Sequence, residues 1–175
     1  MKMTTAPASL LVDHVDLLPP EGEALDIAMG KGRNTLYLAS RGLKVTGIDS
    51  DAESVTACQA EAKRQSLQVQ AVTADALSWE MGRERYDVIL NFYFLERALS
   101  PRIIAALKPG GVLFFETYTL AQLSLPHGPR NPLWVLHPAE LPLMFRDLKT
   151  LFYRDTVLEE EGRRKAIASL IARKW

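Results

Sequence analysis

The chain sets short apolar runs between amphipathic stretches at nearly regular intervals. Ala24 to Ala28, Lys44 to Ile48, Leu67 to Thr73, Tyr86 to Phe92 and Val112 to Thr117 each read as a buried strand. Between them, Asn34 to Arg41 reads as a helix that stops at Gly42. Asp51 to Gln65 reads as a helix with acidic residues in its first turn, and Pro101 to Leu107 as one that opens on proline. Leu10, Leu11, Val15, Leu17 and Leu18 form a helical stripe closed by Pro19-Pro20, which places an N-terminal helix within residues 1–20 after a loose end at Met1 to Ala8. Lys108-Pro109-Gly110-Gly111 reads as a tight turn.

Strand and helix alternation predicts a parallel sheet covered by helices on both faces. The ending departs from it. Lys149 to Leu158 and Lys165 to Arg173 read as two strands joined by the polar run Glu159 to Arg164, a hairpin connection. The expected fold class is therefore α/β, with a seven-stranded, mostly parallel sheet that closes on an antiparallel strand. Residues 1–175 are expected to form one domain.

Composition narrows the function. Twenty-one basic residues balance twenty-one acidic ones, for a formal net charge of zero, so no strongly basic nucleic-acid surface is expected. Cys58 is the only cysteine, which rules out an intramolecular disulfide and a cysteine-rich zinc site. The three histidines are too scattered for a metal site. No apolar run is long enough to span a bilayer, and Met1 to Ser9 lacks the apolar core of a secretory signal; a cytoplasmic location is expected.

The candidate chemistry lies where the predicted strands end, because ligands of open α/β sheets bind at the carboxyl ends of the strands. Asp26 enters a turn made of Ala28, Met29, Gly30, Lys31 and Gly32, and a helix start follows. Small residues let a ligand approach the main chain, and the free N–H groups of a helix start favour polar ligands. Asp49 ends the second strand, where a carboxylate offers acceptors to ribose hydroxyls. Asp75 follows the third strand and Asn91 ends the fourth. A dinucleotide site is disfavoured. With Gly30 and Gly32 as the first two glycines of G-x-G-x-x-G, the third would fall at Thr35. The closing hairpin also fails to repeat the βαβ unit, and a chain of this length leaves no room for a separate substrate domain.

The ordered motifs resemble those of class I S-adenosylmethionine-dependent methyltransferases. Asp26-Ile27-Ala28-Met29-Gly30-Lys31-Gly32 is similar to the first motif of that family and Gly47-Ile48-Asp49 to the second. Ala74-Asp75-Ala76 is similar to the third, Tyr86-Asp87-Val88-Ile89 to the fourth strand, and Leu107 to Gly111 to the turn before the fifth. Gly32 to Ala39, Ala139-Glu140-Leu141 and Ala168 to Lys174 resemble the tellurite-resistance-type members most. The resemblance implies a Rossmann-like three-layer sandwich and S-adenosyl-L-methionine as cofactor. The implied cofactor residues are Asp26, Ala28, Met29, Gly30, Gly32, Arg33, Asn34, Asp49, Ser50, Asp75, Ala76, Asn91 and Phe92. Asp49 would bind ribose, Asp75 the adenine amino group and Arg33 the cofactor carboxylate. One departure stands out: the usual first glycine is Ala28, which suits the loop at negative φ and strains it at positive φ.

Methyl transfer is an in-line displacement, so alignment and exclusion of water are the main tasks. No general base stands out, and catalysis is expected to be mostly positioning. Asn91-Phe92-Tyr93-Phe94 lacks both prolines of the Asn-Pro-Pro-Tyr motif of amino-methyltransferases. The irregular segment 118–138 is expected to overhang the strand ends as an acceptor lid. Tyr93, Arg97, Tyr118, Arg130, Trp134 and His137 are the candidate acceptor residues, and His127 also lies in the lid. The expected acceptor is a small molecule, such as a thiol, selenium or tellurium species, handled by a monomer or homodimer. RNA or protein methylation and non-catalytic cofactor binding are the alternatives.

Overall fold

The computed structural model describes residues 5–160 and 162–175. Seven strands form one sheet: β1 (Gly22–Ile27), β2 (Leu43–Asp49), β3 (Val69–Thr73), β4 (Tyr86–Phe92), β5 (Leu107–Tyr118), β6 (Lys149–Glu160) and β7 (Arg163–Arg173). Their spatial order is β3-β2-β1-β4-β5-β7-β6. All pairs from β3 to β5 are parallel, and β7 runs antiparallel to both neighbours. The fold is thus the α/β sheet with an antiparallel closing strand that the alternation predicts.

The helices are α1 (Ser9–Asp13), α2 (Arg33–Ser40), α3 (Ala52–Arg64), α4 (Ser100–Ala106) and α5 (Glu140–Met144). Successive strand residues serve opposite faces, as a pleated strand requires. Leu25, Ile27 and Ile89 pack with Ile103 of α4 and Leu141 of α5. Ala24, Val88 and Leu90 pack with Leu10 and Leu11 of α1 and Leu38 of α2. The sheet is therefore the middle of three layers. A central strand covered on both faces must be apolar throughout, which is why Tyr86 to Phe92 carries only Asp87 and Asn91 as polar residues.

Two local expectations are corrected. The N-terminal stripe does not form one helix. α1 ends at His14, whose Nδ1 lies 2.9 Å from the Leu10 carbonyl that a continuing helix would give to the His14 amide. Val15–Leu17 follows as a separate 3₁₀ turn. The run Lys108 to Gly111 belongs to β5 rather than to a free turn. Gly110, at φ 80°, donates its N–H to Lys174 O at 2.9 Å, and the Lys174 N–H donates to Gly111 O at 2.9 Å. Met1 to Thr4 of the loose end and Glu161 of the hairpin lie outside the described residues.

The order of strands reverses between β1 and β4, with Ile27 paired to Asn91 on one side and to Ile48 on the other. The carboxyl ends of β1, β2 and β4 therefore share one edge of the sheet, at the switch point where α/β folds place ligands.

Candidate functional site

The loop after β1 is built from left-handed residues. Ala28 has φ 54°, Gly30 φ 56° and Gly32 φ 83°. The Met29 N–H donates to Ile48 O, and the Gly32 N–H donates back to Met29 O, each at 3.0 Å. Met29 is an anchor as much as a lining residue. A Cβ at Gly47 of β2 would lie 2.2 Å from Met29 Sδ, so the side chain presses onto bare β2 backbone beside Val55, Cys58 and Ala71. Gly30 differs: a Cβ there would meet nothing within 4 Å, so the main chain faces open space.

Ala28 takes the strained alternative. A left-handed L-residue costs about 1–2 kcal/mol, part of which glycine returns as unfolded-state entropy. Ala28→Gly is therefore expected to raise stability by about 0.5–1 kcal/mol in urea unfolding. A loss of stability instead would mean that packing of the methyl group against its apolar neighbours outweighs the strain.

Beneath the loop, Asp26 is 1% exposed and accepts a 2.7 Å hydrogen bond from the Thr35 hydroxyl. Burial pushes its carboxyl from 3.8 up to about 7, while the Thr35 bond and the Arg33 charge pull it down. Folding thus tightens the proton on Asp26. The resulting stabilisation is full below about pH 4 and is lost as pH rises through about 7. It amounts to on the order of 4 kcal/mol as an upper bound. The stability of the native protein relative to Asp26→Asn should fall between pH 4 and 8; a flat difference would remove the carboxyl as the cause.

Asp49 ties the loop to β2. Its Oδ2 accepts from the Gly30 N–H at 2.8 Å and its Oδ1 from the Asp51 N–H at 2.9 Å. Each oxygen keeps a further lone pair, and the residue is only partly buried. Asp51, not Asp49, caps α3, accepting from Glu53 and Ser54. Ser50 and Asp75 are exposed, and Asp75 Oδ1 accepts from the Leu77 N–H; Ala76 and Phe92 are buried in the core. Asn91 is 1% exposed and donates to Phe94 O at 2.6 Å, which shapes the turn leaving β4.

Several candidate residues are already held by other partners. Asn34 is buried, and its Oδ1 accepts from the Ala8 N–H at 2.8 Å. Arg33 donates to Ala6 O at 3.2 Å. Together they strap the N-terminal segment over the start of α2. Arg97 pairs with Glu140 and donates to Leu133 O and Val135 O, so it braces the rim. Arg130 donates to Leu125 O at 2.8 Å, within its own loop. Trp134 is 61% exposed, and His137 is exposed with its N–H on Glu140. Tyr93 and Tyr118 come together, their ring centroids 5.0 Å apart.

Sequence reading missed two polar residues here. Glu116 of β5 is 4% exposed; its oxygens accept from Tyr93 Oη at 3.1 Å and Ser169 Oγ at 2.6 Å. Gln122 is fully buried. Its Oε1 accepts from the Ala166 N–H of β7 at 2.8 Å and its Nε2 donates to His127 O at 2.7 Å. The signal for both was the same: a lone polar residue in or beside an apolar strand, which burial obliges to find partners.

An α/β sheet with a glycine loop after β1 and a carboxylate after β2 is the framework of nucleoside-bearing cofactor sites. Residues 24–111 match the family model described as a methyltransferase domain, and the chain belongs to that family. It is 32% identical over 146 residues to the ubiquinone biosynthesis O-methyltransferase of Pseudomonas putida, covering 71% of this chain and 62% of that protein. It is 32% identical over 108 residues to the probable S-adenosyl-L-methionine-dependent methyltransferase TehB of Haemophilus influenzae, covering 60% of this chain and 37% of that protein. The crystal structure of TehB from Haemophilus influenzae shares the fold with a TM-score of 0.83 at 24% identity, over 98% of this chain and 64% of that one. The chain thus spans less than two thirds of the length of these relatives. S-adenosylmethionine is the cofactor that family membership brings.

The residues present fit that cofactor. Gly30 leaves its main chain open on one side, and Asp49 keeps accepting capacity at the end of β2. Asp75 stands exposed past the end of β3. Among the described residues no His, Cys, Asp and Glu group suits a metal ion, and no helix is long and apolar enough to cross a membrane.

Proposed function

We infer that this protein transfers a methyl group from S-adenosylmethionine to a small-molecule acceptor. The observation that carries this reading is the cradle between β1 and β2, where the open Gly30 main chain is bonded to the Asp49 carboxylate. In it Asp49 would bind the ribose hydroxyls, Asp75 the adenine amino group, and the Gly30 main chain and Arg33 the amino-acid end. When bound, the cofactor supplies an electrophilic methyl group on a positively charged sulfonium. The protein's own contribution is to hold the acceptor in line and keep water away. With the ribose at β2 and the adenine at β3, the methyl group would lie towards β4 and β5. Tyr93, Tyr118, Trp134 and His137 on that side would then face the acceptor. The resemblance of Gly32 to Ala39 and Ala168 to Lys174 to tellurite-resistance-type members favours a thiol, selenium or tellurium species as that acceptor.

Isothermal titration with S-adenosylmethionine, S-adenosylhomocysteine and NAD tests the reading. Micromolar binding of the first two is expected; binding of NAD alone would overturn it.

A further inference from the structure

The polar groups around Glu116 form a second construction, on the acceptor side of the switch point. Glu116, Ser169 and Arg154 lie side by side on β5, β7 and β6, since Glu116 pairs with Ser169 and Ser169 with Arg154. Arg154 Nε donates to Ser169 Oγ at 3.2 Å, and its Nη2 stands 3.6 Å from Glu116 Oε2. Two hydroxyl donors and a guanidinium therefore face one carboxyl group that is almost sealed from solvent. Such a group is costly to bury and calls for a reason.

Tyr93 is where this construction reaches the site. It follows β4 directly, two residues past Asn91, which pairs with the last residue of β1. Its main chain is held left-handed at φ 56°, and its N–H donates to Glu116 O at 2.7 Å while its hydroxyl donates to Glu116 Oε1. A tyrosine at positive φ is strained, and here it is clamped twice to one residue. The hydroxyl spends its proton on Glu116 and so leaves its lone pairs free to accept a proton from elsewhere.

We propose that Tyr93 is a catalytic residue that takes the proton of the acceptor's nucleophile and passes its own to Glu116, which suits acceptors that carry a proton on the nucleophile, such as phenols and thiols. This rests on the methyl-transfer reading above. In the transfer, the nucleophile's bond to hydrogen breaks and its proton moves to Tyr93 Oη. The Tyr93 O–H proton moves to the Glu116 carboxylate and later to solvent. The nucleophile's electron pair forms the new bond to the methyl carbon, and the carbon–sulfur pair stays on sulfur, whose positive charge is discharged. Glu116, which acts through Tyr93, is a positioning residue and proton store.

The surroundings suit a hydroxyl that relays rather than one that starts ionised. Burial, and then the Glu116 charge, push the Tyr93 hydroxyl above its ordinary range, with Glu160 and Tyr118 adding to the effect. Lys165 of β7 lies 5.3 Å from the centre of the Tyr93 ring and is paired with Glu160, so its charge is already engaged. Arg154 stands on the far oxygen of Glu116.

The test uses Tyr93→Phe and Glu116→Gln beside the native protein, with folding followed by thermal unfolding and cofactor binding by titration with S-adenosylhomocysteine. Formation of S-adenosylhomocysteine from the methyl donor is measured with catechol and with dithiothreitol from pH 6 to 10. Both variants should keep the native affinity for S-adenosylhomocysteine and lose about 10²-fold or more in kcat at pH 7. The deficit should shrink towards pH 10, where the acceptors ionise without help. A deficit equal at every pH marks a merely structural role and overturns the proposal, as does native turnover by Tyr93→Phe. Cofactor binding by the native protein without turnover of either acceptor overturns the relay but leaves the cofactor reading intact. Failure to bind the cofactor overturns that reading itself.

Discussion

Gly32→Ala should be among the most damaging single-methyl changes in this protein, lowering its stability by about 2–5 kcal/mol. Two costs add. At φ 83° any L-residue is strained by about 1–2 kcal/mol. The new Cβ would also lie 2.3 Å from Cys58 Sγ and 3.1 Å from Cys58 Cβ, and overpacking of that kind costs about 1–3 kcal/mol. Cys58 belongs to α3, so the clash pushes α2 and α3 apart beneath the loop after β1. Urea or thermal unfolding measures the loss, which corresponds to roughly 4–20 °C in Tm for a chain of this size. Cys58→Ala in the same chain should recover part of the overlap but none of the backbone strain. The double variant should therefore cost less than the sum of the two single changes. Strict additivity would show that the contact with Cys58 is not the cause.

Asp49→Ala should weaken S-adenosylhomocysteine binding by about 10²-fold or more. A hydrogen bond to a charged group is worth about 1.5–3 kcal/mol, and the proposed ribose contact uses two. The change also strips partners from the Gly30 and Asp51 amides, so the loop itself should loosen. Asp49→Asn separates these effects, because it keeps one accepting oxygen and removes the charge. Calorimetric titration of both variants decides the matter. Unchanged affinity in Asp49→Ala would take Asp49 out of the ribose site.

The strands were legible because burial on both faces leaves a plain apolar signature; β4 was read to the residue as Tyr86 to Phe92. The order of motifs at the strand ends was equally plain, since Asp26, Gly30, Gly32 and Asp49 fall at fixed places in a βαβ unit. What local reading could not see came from partners far along the chain. Lys108 to Gly111 looked like a turn because proline and glycine dominate it, yet Lys174 supplies the hydrogen bonds that hold it in β5. The left-handed φ of Ala28 leaves no mark in the sequence, because the loop it opens is held by residues elsewhere: Met29 lies against Gly47, and Gly30 is bonded to Asp49. Asn34, Arg97 and Arg130 were chosen for their chemistry at suggestive positions. Their partners, Ala8, Glu140 and Leu125, emerge only when the chain has folded. Glu116 escaped notice for the opposite reason. It directly follows the apolar run Val112 to Phe115 within β5, and its value lies in Ser169, which is 53 residues away.

The fixing of Gln122 to β7 has a consequence for how such a protein can diversify. Gln122 pins one end of the rim through Ala166, and the pairing of Thr119 with Leu136 closes its base. Between these points the chain is a loop whose ends are already joined. Doubling the length of such a loop costs only about 0.6 kcal/mol in closure entropy. Residues inserted between Leu125 and Asn131 would therefore reshape this loop at small thermodynamic cost, while the bonds between Gly30 and Asp49 stayed untouched. On the proposed reading, new acceptors would be sampled from this rim without disturbing the contacts that Asp49 makes.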